Sequence, residues 1–203
     1  QDLAWVAPRA CAHMRVIEQV MQCSPVLPVP LGTIFYSYET LDARLSNHHN
    51  AILQFLHDMQ DREEWAIKGM VSSAGAREAI FSGLQEKEAN NLPASPGKRY
   101  FYERKLRADS EAGLREHLQS AAKSFVEDIK DSVEELRVRK ILPNADPDSD
   151  EEVFLNLAVL LHKKKISDLL SRVDGANSAS ADRWLRFELS GPWPPYSFAP
   201  TLS

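Results

Sequence analysis

The sequence predicts an α+β protein, with a partial N-terminal α+β domain followed by a ferredoxin-like domain that carries a helical insertion, and a C-terminal tail. Two observations lead to this prediction. The second part of the chain alternates strand and helix patterns in the order β-α-β-β-α-β, and residues 190–198 concentrate prolines and aromatics near the end. The predicted boundaries are 1–62 for the N-terminal domain, 63–189 for the ferredoxin-like domain and 190–203 for the tail.

The N-terminal domain is predicted to contain a helix, a strand and a longer helix. Residues 8–23 repeat apolar side chains at helical spacing, with Pro8 near the first turn. Residues 26–35 are an apolar run, and Pro28 and Pro30 place that strand at a sheet edge or a bulge. The two helical stripes are Ala10, Met14, Ile17 and Met21, then Leu41, Leu45, His48, Ile52, Phe55 and Met59.

The ferredoxin-like domain is predicted to begin with a strand, a short helix and a long helix. From Trp65 to Val71, apolar residues alternate as in a half-buried strand. A short helix over 76–88 and a proline-containing loop over 90–97 follow. The next stripe is Leu114, Leu118, Ala121, Phe125, Ile129, Val133 and Leu136. An unbroken helix over 98–136 would be roughly 58 Å long, so we expect a bend near 109–113.

The rest of this domain is predicted as two strands, a helix and a last strand. Residues 138–142 and 153–161 are strands joined by an acidic loop. The second is apolar on both faces, which is typical of a central strand with helices on one side and other elements on the other. Residues 166–173 form a short helix that ends at Gly175, and residues 185–189 alternate as the final strand.

The tail over 190–198 holds three prolines and three aromatics in nine residues. Proline fixes φ and removes the backbone donor, which predicts that this segment is neither helix nor ladder strand. Trp193, Tyr196 and Phe198 therefore need a surface to lie on. Two interpretations stay open: a strap folded over its own domain, or a docking element for another subunit.

The same tail carries a family resemblance. Residues 188–198 (ELSGPWPPYSF) resemble the C-terminal signature of the gas vesicle F/L accessory proteins, and this motif is specific. Residues 25–33 (PVLPVPLGT), 64–68 (EWAIK) and 155–158 (LNLA) resemble further stretches of that family, in the family's order. There are departures: Pro30 stands where the family usually has arginine, and residues 162–165 (HKKK) replace a link that often contains proline.

The resemblance implies the same α+β plan. Family members carry an N-terminal strand region that does not precede Gln1 here, so we expect the first domain to lack its first strands.

The resemblance also implies a non-enzymatic accessory or minor structural protein of the gas vesicle, without a cofactor. Such a protein takes part in vesicle assembly by binding the hydrophobic major shell protein and other accessory proteins. Its implied location is the vesicle, including the gas-facing surface of the shell, and the cytoplasm during assembly. The F and L branches and the oligomeric state stay open.

We expect the partner surface to combine the tail with the proline-rich edge strand. Its expected residues are Trp193, Pro194, Pro195, Tyr196, Phe198, Val26, Val29 and Leu31.

Composition agrees with this class of protein. The net charge of −5 argues against general nucleic-acid binding, which needs a basic surplus. The sequence has no signal peptide and no apolar run near the ~20 residues of a membrane helix, so no membrane partner is expected. Cys11 and Cys23 share a predicted helix and would lie roughly 18 Å apart, beyond disulfide reach, as in a reducing compartment.

Three possible ligand-binding motifs do not have the residues or the spacing that their chemistry requires. The acidic run at 146–152 has Glu151 at the glycine position of an EF-hand and Leu157 at its bidentate position, which favours a solvated loop. His48 and His49 point about 100° apart on a helix, so they cannot chelate a metal from one face. Residues 97–98 lack the first glycine and the following serine or threonine of a phosphate loop.

Two further segments have a possible functional interpretation, and one rival function stays open. Ser72 or Ser73 is predicted to cap a helix, because the G-x-S-x-G turn of a hydrolase is incomplete. The basic, aromatic run over 98–107 is either the flank of an ordinary amphipathic helix or a site for an acidic partner. The rival to the accessory protein is a small ligand-binding or enzymatic ferredoxin-like domain, which would need a concave pocket with convergent polar groups.

Overall fold

The computed structural model of the protein describes residues 3–87, 95–143, 149–179 and 184–202. Three helices precede the first strand, and a short 3₁₀ turn at Lys163–Lys165 links β3 to α6. The elements are α1 (Leu3–Met21), α2 (Tyr38–Asn47), α3 (His49–Asp58), β1 (Arg62–Ser72), α4 (Ser73–Lys87), α5 (Pro96–Ile129), β2 (Glu135–Val138), β3 (Glu151–His162), α6 (Ile166–Ala179) and β4 (Leu185–Trp193).

The four strands form one sheet in the order β2-β3-β1-β4, and all neighbouring strands are antiparallel. Helices α4 and α5 connect β1 to β2, and α6 connects β3 to β4. This is the predicted ferredoxin-like order, so the α+β class is confirmed. β3 lies inside the sheet, as its two apolar faces predict.

One face of the sheet packs against α5 and α6. Alternate residues of β3, with Leu157 fully buried, meet the apolar stripe of α5. The aromatic rings of Phe125 on α5 and Phe187 on β4 stack with centroids 3.9 Å apart. The buried members of this core are Ile67, Phe125, Ile129, Leu155, Leu157, Val159, Leu161, Leu169, Val173, Leu185 and Phe187.

The other face of the sheet is covered by α3 and the C-terminal tail. Ala158 and Leu160, the alternate residues of β3, pack against Phe55, Met59 and Phe198. Because side chains of a strand alternate between faces, the two-sided apolar pattern of β3 needs this second cover. The prediction of other elements on that face is confirmed.

The helices of the N-terminal segment differ from their prediction in two places. α1 begins at Leu3, so Pro8 lies inside the helix and not in its first turn. Its predicted apolar stripe does face the body of the protein, with Ile17 buried. The predicted long helix is two helices, α2 and α3, that meet at His48.

The predicted strand over 26–35 is wrong. Among the described residues 24–36 there is no strand, and the segment runs in irregular conformation through Pro28 and Pro30. The Thr33 N–H and hydroxyl both donate to the Pro30 carbonyl, closing a turn in which Gly32 has φ +87°. Gly32 at positive φ occupies the third position of this turn, where a type II turn requires glycine, and this turn chemistry overrides the apolar pattern.

Three boundaries in the second domain are also corrected. α5 ends at Ile129, and Leu136 belongs to β2, which spans Glu135–Val138 instead of 138–142. α5 is continuous through 109–113, where the bend is predicted. Gly175 lies inside α6 and does not end it. Residues 88–94, which include most of the predicted loop at 90–97, are outside the described residues, and Gly97 is part of α5.

The start of α4 is capped by Asp150 and not by a serine. One carboxylate oxygen of Asp150 accepts from the Ala74 N–H at 2.7 Å, and the other accepts from the Ser72 hydroxyl. These two hydrogen bonds hold the pKa of Asp150 below its usual value. The carboxylate of Asp150, in the loop that is predicted to be solvated, therefore accepts from a free N–H group at the start of the helix.

Candidate partner-binding surface

The tail begins inside the sheet. β4 continues to Trp193, which lies opposite Glu64 on β1, although the proline content predicts that the ladder ends at Leu189. The register shifts between Glu64 and Ala66, where the peptide before Pro192 is cis. Because β4 is an edge strand, a proline there need not remove a ladder hydrogen bond, and the prediction fails for this reason.

Gly191 lets the tail cross a tryptophan ring. Its φ is +149°, and a Cβ atom at this position would lie 2.9 Å from Cδ2 of Trp65. Both the backbone angle and the contact favour glycine, because other residues rarely adopt this φ and would strike the ring. The direction in which the chain leaves the sheet therefore depends on Gly191.

We expect Gly191→Ala to lower the free energy of unfolding by about 2 kcal/mol, because the methyl group meets Trp65 and the backbone angle is strained. Urea denaturation followed by circular dichroism measures this loss. Gly175→Ala is the matched control, since a Cβ there meets nothing within 4 Å and alanine favours the helix. Equal stability of the two variants would show that the tail leaves the sheet by another path.

Beyond Trp193 the tail turns and lies on the sheet. Pro194, Pro195 and Phe198 are buried, and Tyr196 is half-buried. The Phe198 and Ala199 N–H groups donate to the Pro195 carbonyl at 3.2 and 3.0 Å, which closes the turn. These placements are those of a strap over the protein's own domain. Most of the surface of Pro194, Pro195 and Phe198 is therefore covered by the protein itself, although Pro195 and Pro194 still line the clefts beside Trp193.

A buried carboxylate holds the strap at Ser197. Glu64, with an exposed fraction of 1%, accepts hydrogen bonds from the Ser197 N–H at 2.9 Å and hydroxyl at 2.7 Å. Burial raises the pKa of Glu64, against the opposing effects of the Ser197 hydrogen bonds and the charges of Arg139 and Arg137. Both carboxylate oxygens are thus engaged by the tail.

Arg137 on β2 holds the same turn from the other side. Its guanidinium group donates to the Ser197 carbonyl and lies 4.9 Å from the centroid of the Phe198 ring. The contact with the ring face has cation–π character. Sequence reasoning did not find Glu64 or Arg137 for this role, because neither position is near the tail along the chain.

The structure brings together the two segments that the sequence predicts as one surface. The Tyr196 hydroxyl donates to the Val29 carbonyl at 3.4 Å. His13 Nε2 lies 2.9 Å from that carbonyl oxygen and 3.1 Å from the Tyr196 hydroxyl oxygen. The tail, the segment after α1 and α1 itself therefore meet at one point, although the predicted edge strand between them is not a strand.

The exposed part of this surface is apolar. Trp193 has an exposed fraction of 38%, Val29 and Leu31 are exposed, and Val26 is half-buried. The apolar residues continue past the predicted set, with exposed fractions of 85% for Ile34 and 100% for Tyr36. Phe35 and Tyr38 are also exposed. A strand over residues 26–35 would place alternate side chains on a sheet face. The strand prediction therefore did not include an exposed apolar row in this segment.

Two clefts flank Trp193. The larger, which we call the Trp193 cleft, has a volume of about 540 Å³ and lies between the end of α1, the connection from α3 to β1, and the tail. The smaller, of about 280 Å³, lies between Met14, Arg139 and Tyr196. The described residues that line the two clefts include no histidine, and both oxygens of Glu64 are held by Ser197. In the part of the chain that the structure describes, no three His, Cys, Asp or Glu side chains are grouped to hold a metal ion.

The chain was compared with known protein families. A sequence model of the family described as gas vesicle synthesis protein GvpL/GvpF matches residues 1–200. The chain belongs to the GvpL/GvpF family. A curated member, gas vesicle protein L of Streptomyces sp. (strain CB03234), is 25% identical over 199 residues, which cover 98% of this chain and 71% of the relative.

Solved structures of the GvpL/GvpF family share the fold. The crystal structure of GvpF from Anabaena sp. PCC7120 superposes with a TM-score of 0.71 at 20% identity, covering 94% of this chain and 77% of that one. GvpF from Microcystis aeruginosa gives a TM-score of 0.65 at 15% identity, covering 93% and 76% of the two chains. The predicted family and the α+β class are both confirmed.

Membership in the GvpL/GvpF family identifies a gas vesicle protein, and GvpL/GvpF is not a known enzyme family. None of the helices in the described residues is both long and apolar enough to cross a membrane. The resemblance that the tail motif predicts is therefore correct at the level of the family.

Proposed function

We propose that this protein takes part in gas vesicle assembly by binding the hydrophobic shell subunit and other accessory proteins, without a catalytic role. The observation that carries the proposal is the row of exposed apolar side chains from Val29 to Tyr38, which meets the tail where Tyr196 bonds to the Val29 carbonyl. Exposed apolar surface of this kind marks protein interaction sites, and aromatic residues are enriched at their centres. An apolar shell subunit is a partner that such a surface would suit.

The row is held in place although its side chains are exposed. The turn from Pro30 to Thr33 closes one end, and at the other end Ser37 and Thr40 form the capping box of α2. A segment whose backbone is already fixed loses less conformational freedom on binding, which favours affinity. The fixed backbone supports a docking function for residues 29–38.

The expected partner residues divide into two groups by exposure. Trp193, Val29 and Leu31 are exposed, and Val26 lines the Trp193 cleft, so these four can touch a partner. Pro194, Pro195 and Phe198 are buried and Tyr196 is half-buried. We propose that this second group acts indirectly, by fixing the position of Trp193 and of the segment around Val29.

The proposed location is the gas vesicle, including the gas-facing surface of its shell, where an apolar surface would meet the apolar subunit. Family membership supports association with the vesicle.

We expect Tyr36→Ser and Trp193→Ala each to weaken binding of the shell subunit roughly tenfold, as loss of an aromatic anchor does at an interface. Copurification and titration of the shell subunit against the full chain measure the loss. Circular dichroism should show that both variants stay folded, because Tyr36 is fully exposed and Trp193 partly so.

Tyr100→Ser is the matched control, since Tyr100 is an exposed aromatic on α5, a different element. We expect it to leave binding unchanged. If Tyr100→Ser weakens binding and Tyr36→Ser does not, the docking surface lies on α5. If the wild-type chain binds neither the shell subunit nor any accessory protein, the assembly role is wrong.

A further inference from the structure

The Trp193 cleft combines an open volume with apolar walls. Its volume of about 540 Å³ falls within the range of protein binding pockets. Met21 at the end of α1 and Met59 before β1 line it together with Val26 and Trp193. Thioether side chains adapt to varied apolar shapes, so these walls suit the aliphatic part of an entering side chain.

The same cleft carries an excess of negative charge. Four carboxylates line it, against two cations. One of the cations, Arg62, is already paired with Glu134, which is not part of the lining. Within the described residues, no salt bridge engages the lining carboxylates, although Glu63 accepts a hydrogen bond from the Trp65 indole N–H at 3.1 Å and both oxygens of the buried Glu64 are held by Ser197. The four carboxylates are Glu18, Asp61, Glu63 and Glu64, and the two cations are Arg62 and Lys163.

Trp193 lines the cleft, and its polar N–H group is bound within the protein. Its indole N–H donates to the Ser190 hydroxyl at 3.2 Å, so this donor is satisfied inside the protein. The remaining ring lines the cleft. An indole ring attracts a cation placed over its face, and Arg side chains use this contact most often.

We propose that the Trp193 cleft binds a basic side chain, arginine or lysine, of a gas vesicle partner protein. The cationic head lies over Trp193 between Glu18 and Glu63, and the aliphatic stem lies along the two methionines. This proposal rests on the function proposed above, and it adds the chemistry by which a partner is recognised beside the apolar row. Charge complementarity of this kind fixes the orientation of a partner on an apolar surface.

The direct test titrates the full chain with N-acetyl-argininamide and follows the indole N–H signal of Trp193 by NMR. Loss of one signal in Trp193→Phe assigns it. We expect a saturable shift, and several-fold weaker binding of N-acetyl-citrullinamide, which has a similar shape without the charge. Equal binding of the two compounds, or no saturable shift, would overturn the proposal.

Neutral substitutions in the lining test the role of charge. We expect Glu18→Gln and Glu63→Gln each to weaken binding of the arginine compound about two- to fivefold, the usual range for exposed ion pairs. The double variant Glu111→Gln, Glu116→Gln on α5 removes two exposed carboxylates away from the cleft and should leave binding unchanged. An equal loss in that control would mean that only the overall charge matters, and the cleft would not be the site.

Failure of this proposal differs from failure of the assembly role. If the arginine compound does not bind while Tyr36→Ser still weakens shell-subunit binding, only the cleft proposal is wrong. If the arginine compound binds as expected but no gas vesicle protein binds the chain, the assembly role is wrong and the cleft keeps its ligand class.

Discussion

Phe198→Ala is expected to lower the free energy of unfolding by about 3 to 5 kcal/mol, the usual cost of emptying an aromatic site in a core. Phe198 has an exposed fraction of 7% and packs with Phe55, Met59, Ala158 and Leu160. Alanine would leave a cavity between the strap and the sheet, and would also remove the contact with Arg137. Urea denaturation, with a constant dependence on urea concentration, measures the change.

Trp193→Ala is the control for Phe198→Ala, because it removes a comparable aromatic from the same tail. Trp193 is partly exposed, so its loss should cost much less than that of Phe198. The two variants then separate the two interpretations of the tail: Phe198 acts in folding and Trp193 in binding. A cost below about 1 kcal/mol for Phe198→Ala would show that the strap is not part of the core.

The core of the sheet could be predicted from the sequence because its signal is local. Leu157 and Ala158 are adjacent, both are apolar, and they point to opposite faces of β3, which predicts cover on both sides. The stripe of α5 likewise predicts its buried face up to Ile129. The stripe continues to Leu136 by coincidence, since Val133 precedes β2 and Leu136 belongs to it, and both pack against the same core.

The candidate site was less predictable because its contacts are distant along the chain. His13 and Tyr196 are separated by 183 positions, and Glu64 and Ser197 by 133, so no spacing indicates that they meet. The strand predicted over residues 26–35 is wrong for a different reason. Their apolar pattern fits a strand, but Pro30 and Gly32 close a turn, and this local geometry decides the outcome.

Glu64→Ala is expected to lower the free energy of unfolding by about 3 kcal/mol, because it removes the acceptor of two hydrogen bonds from Ser197 and leaves these partly buried donors without that partner. Glu64→Gln should behave differently. Its amide oxygen can accept from the Ser197 N–H, and its NH₂ group can donate to the Ser197 hydroxyl oxygen. The glutamine also carries no charge to bury, so we expect it to be at least as stable as the wild type at neutral pH.

The difference in stability between the wild type and Glu64→Gln depends on pH. This dependence tests whether burial, or the Ser197 hydrogen bonds with the nearby arginines, dominates the pKa of Glu64. Burial raises the pKa of Glu64 in the folded state, so the folded protein binds this proton more tightly than the unfolded chain does. This stabilisation is complete at pH values below the pKa of Glu64 in the unfolded chain. It is lost as the pH rises through the pKa of Glu64 in the folded protein. The advantage of Glu64→Gln over the wild type should therefore shrink as pH falls from neutral, because the wild type gains its proton.

The difference in free energy of unfolding between the wild type and Glu64→Gln does not depend on the titration of other carboxylates. Asp150 and Asp168, whose pKa values are lowered, contribute equally to both. If the advantage of glutamine instead grows on acidification, the ionised form of Glu64 is the stabilising one. Attraction by Arg137 and Arg139, with the Ser197 hydrogen bonds, would then outweigh burial.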